Sequence, residues 1–344
     1  MTVEMHEHLD DLRDTAKAVV APHLATDSRP DSTLDRGLWD ELEKLGFVGL
    51  GAPESVGGSD GDLLDSTTVL AELTTARLPY GEATVVAAPA LGEAGIDLPS
   101  GPFTACTADI TAESGHLSGL ASRVPFARDC QSAVLLVVGD RPTLHVVALD
   151  APGVTLIHGV NLAGEPRDSV MLSEVAPVAS AEVPELAAAA WRLRSTLARA
   201  VAAAGVASAI VDITSRYVTE RVQFGRPLVK FQVVQHAIAK MAAEATAMQV
   251  AATAAAMALL EDPSTAELLV AAAKAETAIL TRPVTAAAHQ AHGAIGFTQE
   301  HALGALTTRL WAWREEHGNE RYWHQRLGEL GCGQDLWQLV AGQQ

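Results

Sequence analysis

The chain is 344 residues long, enough for two or three units that each bury a core. It is 48% hydrophobic but only 4% aromatic, and its apolar content is mostly Ala, Val and Leu, a composition that favours closely packed helices. The formal net charge of −18 argues against nucleic acid and anionic membranes as partners, because both are bound through an excess of Lys and Arg; an anionic small molecule needs only a few local arginines.

The first eight residues are polar and acidic, so no signal or transit peptide is expected. Arg192, Arg194 and Arg199 punctuate the most apolar region, so no membrane span is expected either. Cys106, Cys130 and Cys332 are widely separated, lack metal-ligand spacing and read as ordinary thiols. These features together place the chain in the cytoplasm, with no metal site.

Helical periodicity runs through the first 100 residues, at 8–20, 34–45 and 63–73, with Ser32 or Asp35 available as a cap for the second. A loop rich in breakers, with Pro53, Gly57 and Gly58, separates the second helix from the third. Composition changes near Pro102. From 101 to 183 the pattern turns to short β-type runs at 133–138, 144–149, 154–157 and 169–172, as in a small antiparallel unit. Strong helix formers return from 184 to 344, with four long helices near 184–219, 230–260, 264–292 and 300–330 and connectors short enough for an antiparallel bundle. The expected fold is α+β: an N-terminal helical domain (1–100), a small middle β domain (101–183) and a C-terminal four-helix bundle (184–344).

The corner between the first two bundle helices carries Arg221-x-x-Phe224-Gly225-x-x-Leu228-x-x-Phe231-Gln232. Gly225 and Pro227 interrupt the helical pattern. Arg221, read as lying in the last turn of its helix, can reach a phosphate, and Gln232 opens the next helix with a side chain able to donate and accept. A cation, an aromatic ring and an amide so placed read as a dinucleotide clamp. A second element, Gln290-Ala-His-Gly293-Ala294-Ile-Gly296-Phe297, offers small residues that let backbone N–H groups approach an anion.

Helical–β–helical order and these two motifs together resemble the acyl-CoA dehydrogenase family, and Leu38-Trp39 through Gly46 and Pro53-Glu54-x-x-Gly57-Gly58 are similar to its first domain. The resemblance implies FAD as cofactor, an acyl-CoA thioester as substrate, α,β-dehydrogenation as the reaction, and assembly as a homo- or hetero-oligomer with another acyl-CoA dehydrogenase-like subunit. It assigns Arg221 to the FAD pyrophosphate across a subunit boundary, and Phe224 and Gln232 to the adenosine half. Gln290, Gly293 and Ala294 fall to the partner's pyrophosphate, with Ala294 standing where a second glycine is common.

Two departures from the family pattern stand out. The glutamate that removes the α proton is missing: its usual place falls on His317, beside Glu315 and Glu316, and the alternative place falls on Ser195. Glu316 in a shifted register, His317 itself as base, or a base supplied by a partner chain all remain open, and the charged run at 314–320 also reads as a solvated helix face. In the middle domain, the family's flavin-side loop is shortened at 104–111, and the following Ser118 to Ala127 lacks the family's tryptophan. The chain therefore reads as an acyl-CoA dehydrogenase in a heteromeric complex, or alternatively as a non-catalytic subunit that completes a neighbour's FAD site.

Overall fold

A computed structural model describes residues 3–24, 33–298 and 301–332. The N-terminal part is helical: α1 (Val3–Leu24), α2 (Arg36–Lys44), α3 (Leu63–Glu72), then a π-helical stretch Gly81–Ala87 that continues into α4 (Ala88–Ala94). Asp35 caps α2 by accepting from the Leu38 N–H at 3.0 Å, while Ser32 lies outside the described residues. Asp62 and Asp65 form a reciprocal capping box at the start of α3. The helical stretch at 81–94 was not expected from the sequence, because Gly81 and Pro89 disguise its periodicity.

The middle of the chain forms one seven-stranded sheet in the order β5-β6-β2-β1-β3-β4-β7. Its strands are β1 (Phe103–Glu113), β2 (His116–Pro125), β3 (Ser132–Val137), β4 (Thr143–Ala148), β5 (Val154–Ile157), β6 (Arg167–Val175) and β7 (Ala179–Glu182). The sheet is mixed rather than antiparallel throughout, since β1 and β3 pair in parallel. The short run Phe126–Asp129 carries the chain across to β3, and Arg128 ties that crossing to β6 through Asp168. Residues 104–111, expected to hold a shortened loop, are instead the body of β1. Ser114 and Gly115, both with positive φ, join it directly to β2.

The C-terminal part holds α5 (Glu185–Glu220), α6 (Gln232–Glu261), α7 (Glu267–His292), α8 (Ala302–Glu315) and α9 (Glu320–Gly331). The last expected helix is thus two, broken after Glu315. Alanines dominate the buried faces of α5, α6 and α7, so the helices approach closely. One buried cluster runs from α1 through the sheet to Val201 of α5; a second continues from Ala202 into the bundle, joining Met241, Met248, Leu306 and Trp313. Helix α5 is the spine shared by both. By length and composition α5 and α6 could each cross a bilayer, in contrast to the expectation that the arginines of this region rule out a span. In α5 the most apolar stretch is 72% buried within the chain, as in a core helix, whereas in α6 the figure is 33%.

Candidate active site

A cleft of about 950 Å³ opens where the three parts meet. Cys106 and Thr107 of β1 and Arg123 of β2 form one wall, Leu193 and Ser195 of α5 another, and Glu316, His317 and Gly318 a third. The third wall is a tight turn. Glu316 follows α8 with extended backbone, and the chain then passes through two left-handed residues, His317 (φ 54°) and Gly318 (φ 93°), before Asn319 caps α9 by accepting from the Tyr322 N–H. A Cβ at Gly318 would lie 2.6 Å from Trp323 Nε1, so only glycine fits. Trp323 Nε1 donates to the His317 carbonyl at 2.9 Å, and the buried Lys274 of α7 donates from Nζ to the carbonyls of Trp313 (3.0 Å) and Arg314 (2.9 Å).

Glu316 is not a solvated helix residue. It is buried and sits in an ionic cluster assembled from all three parts of the chain. Arg167 of β6 holds it in a fork, Nε to Oε1 at 2.9 Å and Nη2 to Oε2 at 3.0 Å, while Asn161 Nδ2 donates to Oε1 at 3.0 Å. Arg199 of α5 approaches Oε2 at 3.2 Å and also pairs with Glu82 from the N-terminal helices. Glu165 completes the cluster by accepting from Trp313 Nε1 (2.8 Å) and pairing with Arg309 and Arg167. Burial alone would raise the pKa of Glu316, but Arg199 and Arg167 outweigh it and hold the carboxyl well below the ordinary carboxylate range. A base needs a free lone pair. Arg167, Asn161 and Arg199 take up the oxygens of Glu316, which argues against the shifted-register role expected for it and makes it a pin for the cleft wall.

His317 has different surroundings. Its ring has no hydrogen-bond partner among the described residues, and its side chain is accessible within the cleft although protein walls crowd around it. That crowding, with Arg199 and Lys274 nearby, pushes its pKa down to about 3 against the opposing pull of Glu316. The imidazole is therefore neutral at neutral pH, and its lone pair is free. Ser195 also lines the cleft, with its hydroxyl donated back to the Trp191 carbonyl at 2.8 Å.

The expected nucleotide residues lie elsewhere, and none of them lines the cleft. Arg221 stands one residue beyond α5 rather than in its last turn, with extended backbone (φ −73°, ψ 120°). It leads into a two-residue hairpin, β8 (Val222–Gln223) and β9 (Arg226–Pro227), whose turn residues Phe224 and Gly225 both have positive φ. Phe224 is 88% exposed and packs edge-on to Phe231, and Gln232 opens α6 with its side chain in solvent. Gln290, Gly293 and Ala294 are exposed at the end of α7. Tyr217, four residues before Arg221, stacks on His292 at 4.3 Å, so both elements stand at the same end of the bundle.

The comparisons with known proteins fit this geometry. Residues 2–97 match the family profile described as acyl-CoA dehydrogenase, N-terminal domain, and residues 191–322 match acyl-CoA dehydrogenase, C-terminal domain. The chain belongs to the acyl-CoA dehydrogenase family. The acyl-CoA dehydrogenase FadE27 of Mycobacterium tuberculosis is 27% identical over 88% of this chain and 90% of its own length. Among solved structures, the ChsE4-ChsE5 complex from Mycobacterium tuberculosis superposes with a TM-score of 0.83 at 23% identity, covering 95% of this chain and 98% of the other. A Tcur3481-Tcur3483 steroid ACAD variant superposes with a TM-score of 0.81 at 26% identity, covering 94% and 98%. As an acyl-CoA dehydrogenase the chain is an oxidoreductase, and FAD is the cofactor of the family.

The residues present fit the pyrophosphate end of FAD. Gly293 has φ +63° and open space where a Cβ would stand, which leaves room for an anion against the backbone, and Arg221 has no carboxylate partner among the described residues. The sheet side differs from the family pattern, because residues 104–111, where a shortened flavin-side loop was expected, are strand, and β1 runs on to a two-residue turn into β2. Sequence reasoning missed Arg167, Arg199 and Lys274. Lys274 was legible: it falls on the same helical stripe as Val270, Ala271 and Ala278, which are all buried.

Proposed function

We propose that this chain works in α,β-dehydrogenation of an acyl-CoA thioester as one subunit of an oligomer whose FAD sites span subunit boundaries. One observation carries the reading. Arg221, Phe224 and Gln232, with Gln290, Gly293 and Ala294, are exposed at one end of the bundle, whereas the cleft that would take the thioester lies between the sheet and α5. A flavin held by this corner in one chain and by the Gln290–Ala294 loop of a neighbour needs both chains. Helix α6 supports assembly: its most apolar stretch is only 33% buried, and Val233 and Val250 are 76% and 63% exposed. A heteromeric partner is favoured by the resemblance to the Tcur3481-Tcur3483 steroid ACAD at 26% identity. The division near residues 100 and 183 into three domains, and a cytoplasmic location consistent with three free cysteines, belong to the same proposal.

FAD, held by Arg221 of one chain and the Gln290–Ala294 loop of a neighbour, would supply the hydride-accepting chemistry that oxidation at the β carbon requires. The chain's own residues do the rest. Leu186, Ala189 and Leu193 of α5 shield the acyl group from water, the ionic cluster around Glu316 fixes the third wall of the cleft, and His317 accepts the α proton at a ring nitrogen. The test is to purify the chain expressed alone and beside a neighbouring homologue, and to record its absorption spectrum and sedimentation. Bound flavin in an oligomer, bleached anaerobically by an acyl-CoA, is expected. A colourless monomer under both conditions would refute the reading.

A further inference from the structure

Lys274 is 1% exposed, and no carboxylate lies within ion-pair distance of it among the described residues. An ammonium buried without a counter-ion is costly, and acceptors for its protons reduce that cost. Here the acceptors are the carbonyls of Trp313 and Arg314, at the negative end of the α8 dipole. Immediately after them the chain turns through Glu316, His317 and Gly318 into the cleft. Ala271 and Ala275, flanking Lys274 on α7, pack against Trp323, whose indole N–H holds the His317 carbonyl from the α9 side. The turn is therefore gripped from two helices.

We propose that Lys274 is a positioning residue for His317: from α7 it holds the last carbonyls of α8, and through them it sets where the imidazole stands in the cleft. The inference rests on the reading of His317 as proton acceptor. The groups facing Lys274 are Arg199 of α5, Glu316 and Glu315 at the end of α8, and Arg314; those facing His317 add Arg167 of β6. Burial lowers the pKa of Lys274 to about 7, so it carries its charge below neutrality and opposes protonation of His317 there.

The readout is peptide-resolved carbethoxylation of His317 by diethyl pyrocarbonate across pH, which follows both the exposure and the protonation of that ring without flavin or substrate. In Lys274→Met the midpoint of His317 reactivity should rise by about half a unit or more, and in Lys274→Arg it should stay at the wild-type value. In the assembled enzyme Lys274→Met should lower kcat by about tenfold to a hundredfold with little change in KM, and Lys274→Arg should recover most of it. If Lys274→Met does not fold, Lys274→Gln keeps a donor for one carbonyl without the charge and must show the same midpoint shift. An unchanged midpoint in whichever variant folds, or wild-type kcat in it, overturns the proposal. Full turnover by His317→Gln would instead remove the proton-acceptor reading, and the carbethoxylation shift would stand apart from it.

Discussion

Glu316 and His317 are adjacent in sequence, and the turn between α8 and α9 sends them into different surroundings. Two guanidiniums and an amide saturate Glu316, while His317 keeps an open ring in the cleft. Substituting each should therefore produce different losses. Glu316→Gln leaves Arg167 and Arg199 short of a buried counter-charge and should cost roughly 3–5 kcal/mol of stability in chemical denaturation. His317→Gln should leave stability nearly unchanged while lowering turnover roughly a hundredfold or more, as loss of a general base does. Equal stability losses from the two substitutions would contradict the assignment. Gly318→Ala forces a Cβ against Trp323 at a left-handed position and should destabilise by about 1 kcal/mol or more, read as a fall in the denaturant midpoint.

At the scale of elements, the exposed apolar surface of α6, Val250 included, should mediate assembly. Val250→Glu should dissociate the oligomer in sedimentation while changing the stability of the single chain by no more than about 0.5 kcal/mol. An intact oligomer would move the interface elsewhere. The long helices and strands β3, β4 and β5 were legible in the sequence because their apolar spacing is regular and strong breakers bound them. Strands β1 and β2 were not, because Thr, Ala, Ser and Gly give little contrast between buried and exposed faces and the family pattern suggested a loop there. The single break between α8 and α9 was hidden as well, since His317 and Gly318 sit in a charged run that reads as continuous helix. The candidate site was legible only in part: the resemblance to the family points to His317 and to Gly293, whereas the ionic cluster depends on Arg167 and Glu316 meeting from elements 149 residues apart.

For the whole molecule, the cleft residues set a pH dependence with a definite sign. His317 titrates far below its ordinary value when folded, so as pH falls from about 6.5 the unfolded chain takes up a proton that the folded chain refuses, and stability is lost. Glu316, whose folded pKa is depressed, adds stability above the ordinary carboxylate range that is lost on further acidification. Lys274 acts in the same direction at higher pH: between about 7 and 10.5 only the unfolded chain holds its proton, so stability rises with pH. Denaturant midpoints should therefore climb from acid toward mildly alkaline pH, and His317→Gln should flatten the acid limb; a midpoint that falls as pH rises from 5 to 7 would contradict the depressed titration of His317. The central claim concerns the far end of the bundle, where Arg221 and the loop of a neighbouring subunit would hold the FAD pyrophosphate. The flavin-to-chain ratio of the purified oligomer, wild type against Arg221→Ala, tests it most directly. Loss of a charge-assisted contact of about 1.5–3 kcal/mol should weaken flavin binding roughly tenfold to a hundredfold with the oligomer intact. Equal flavin content in the two proteins would contradict the account.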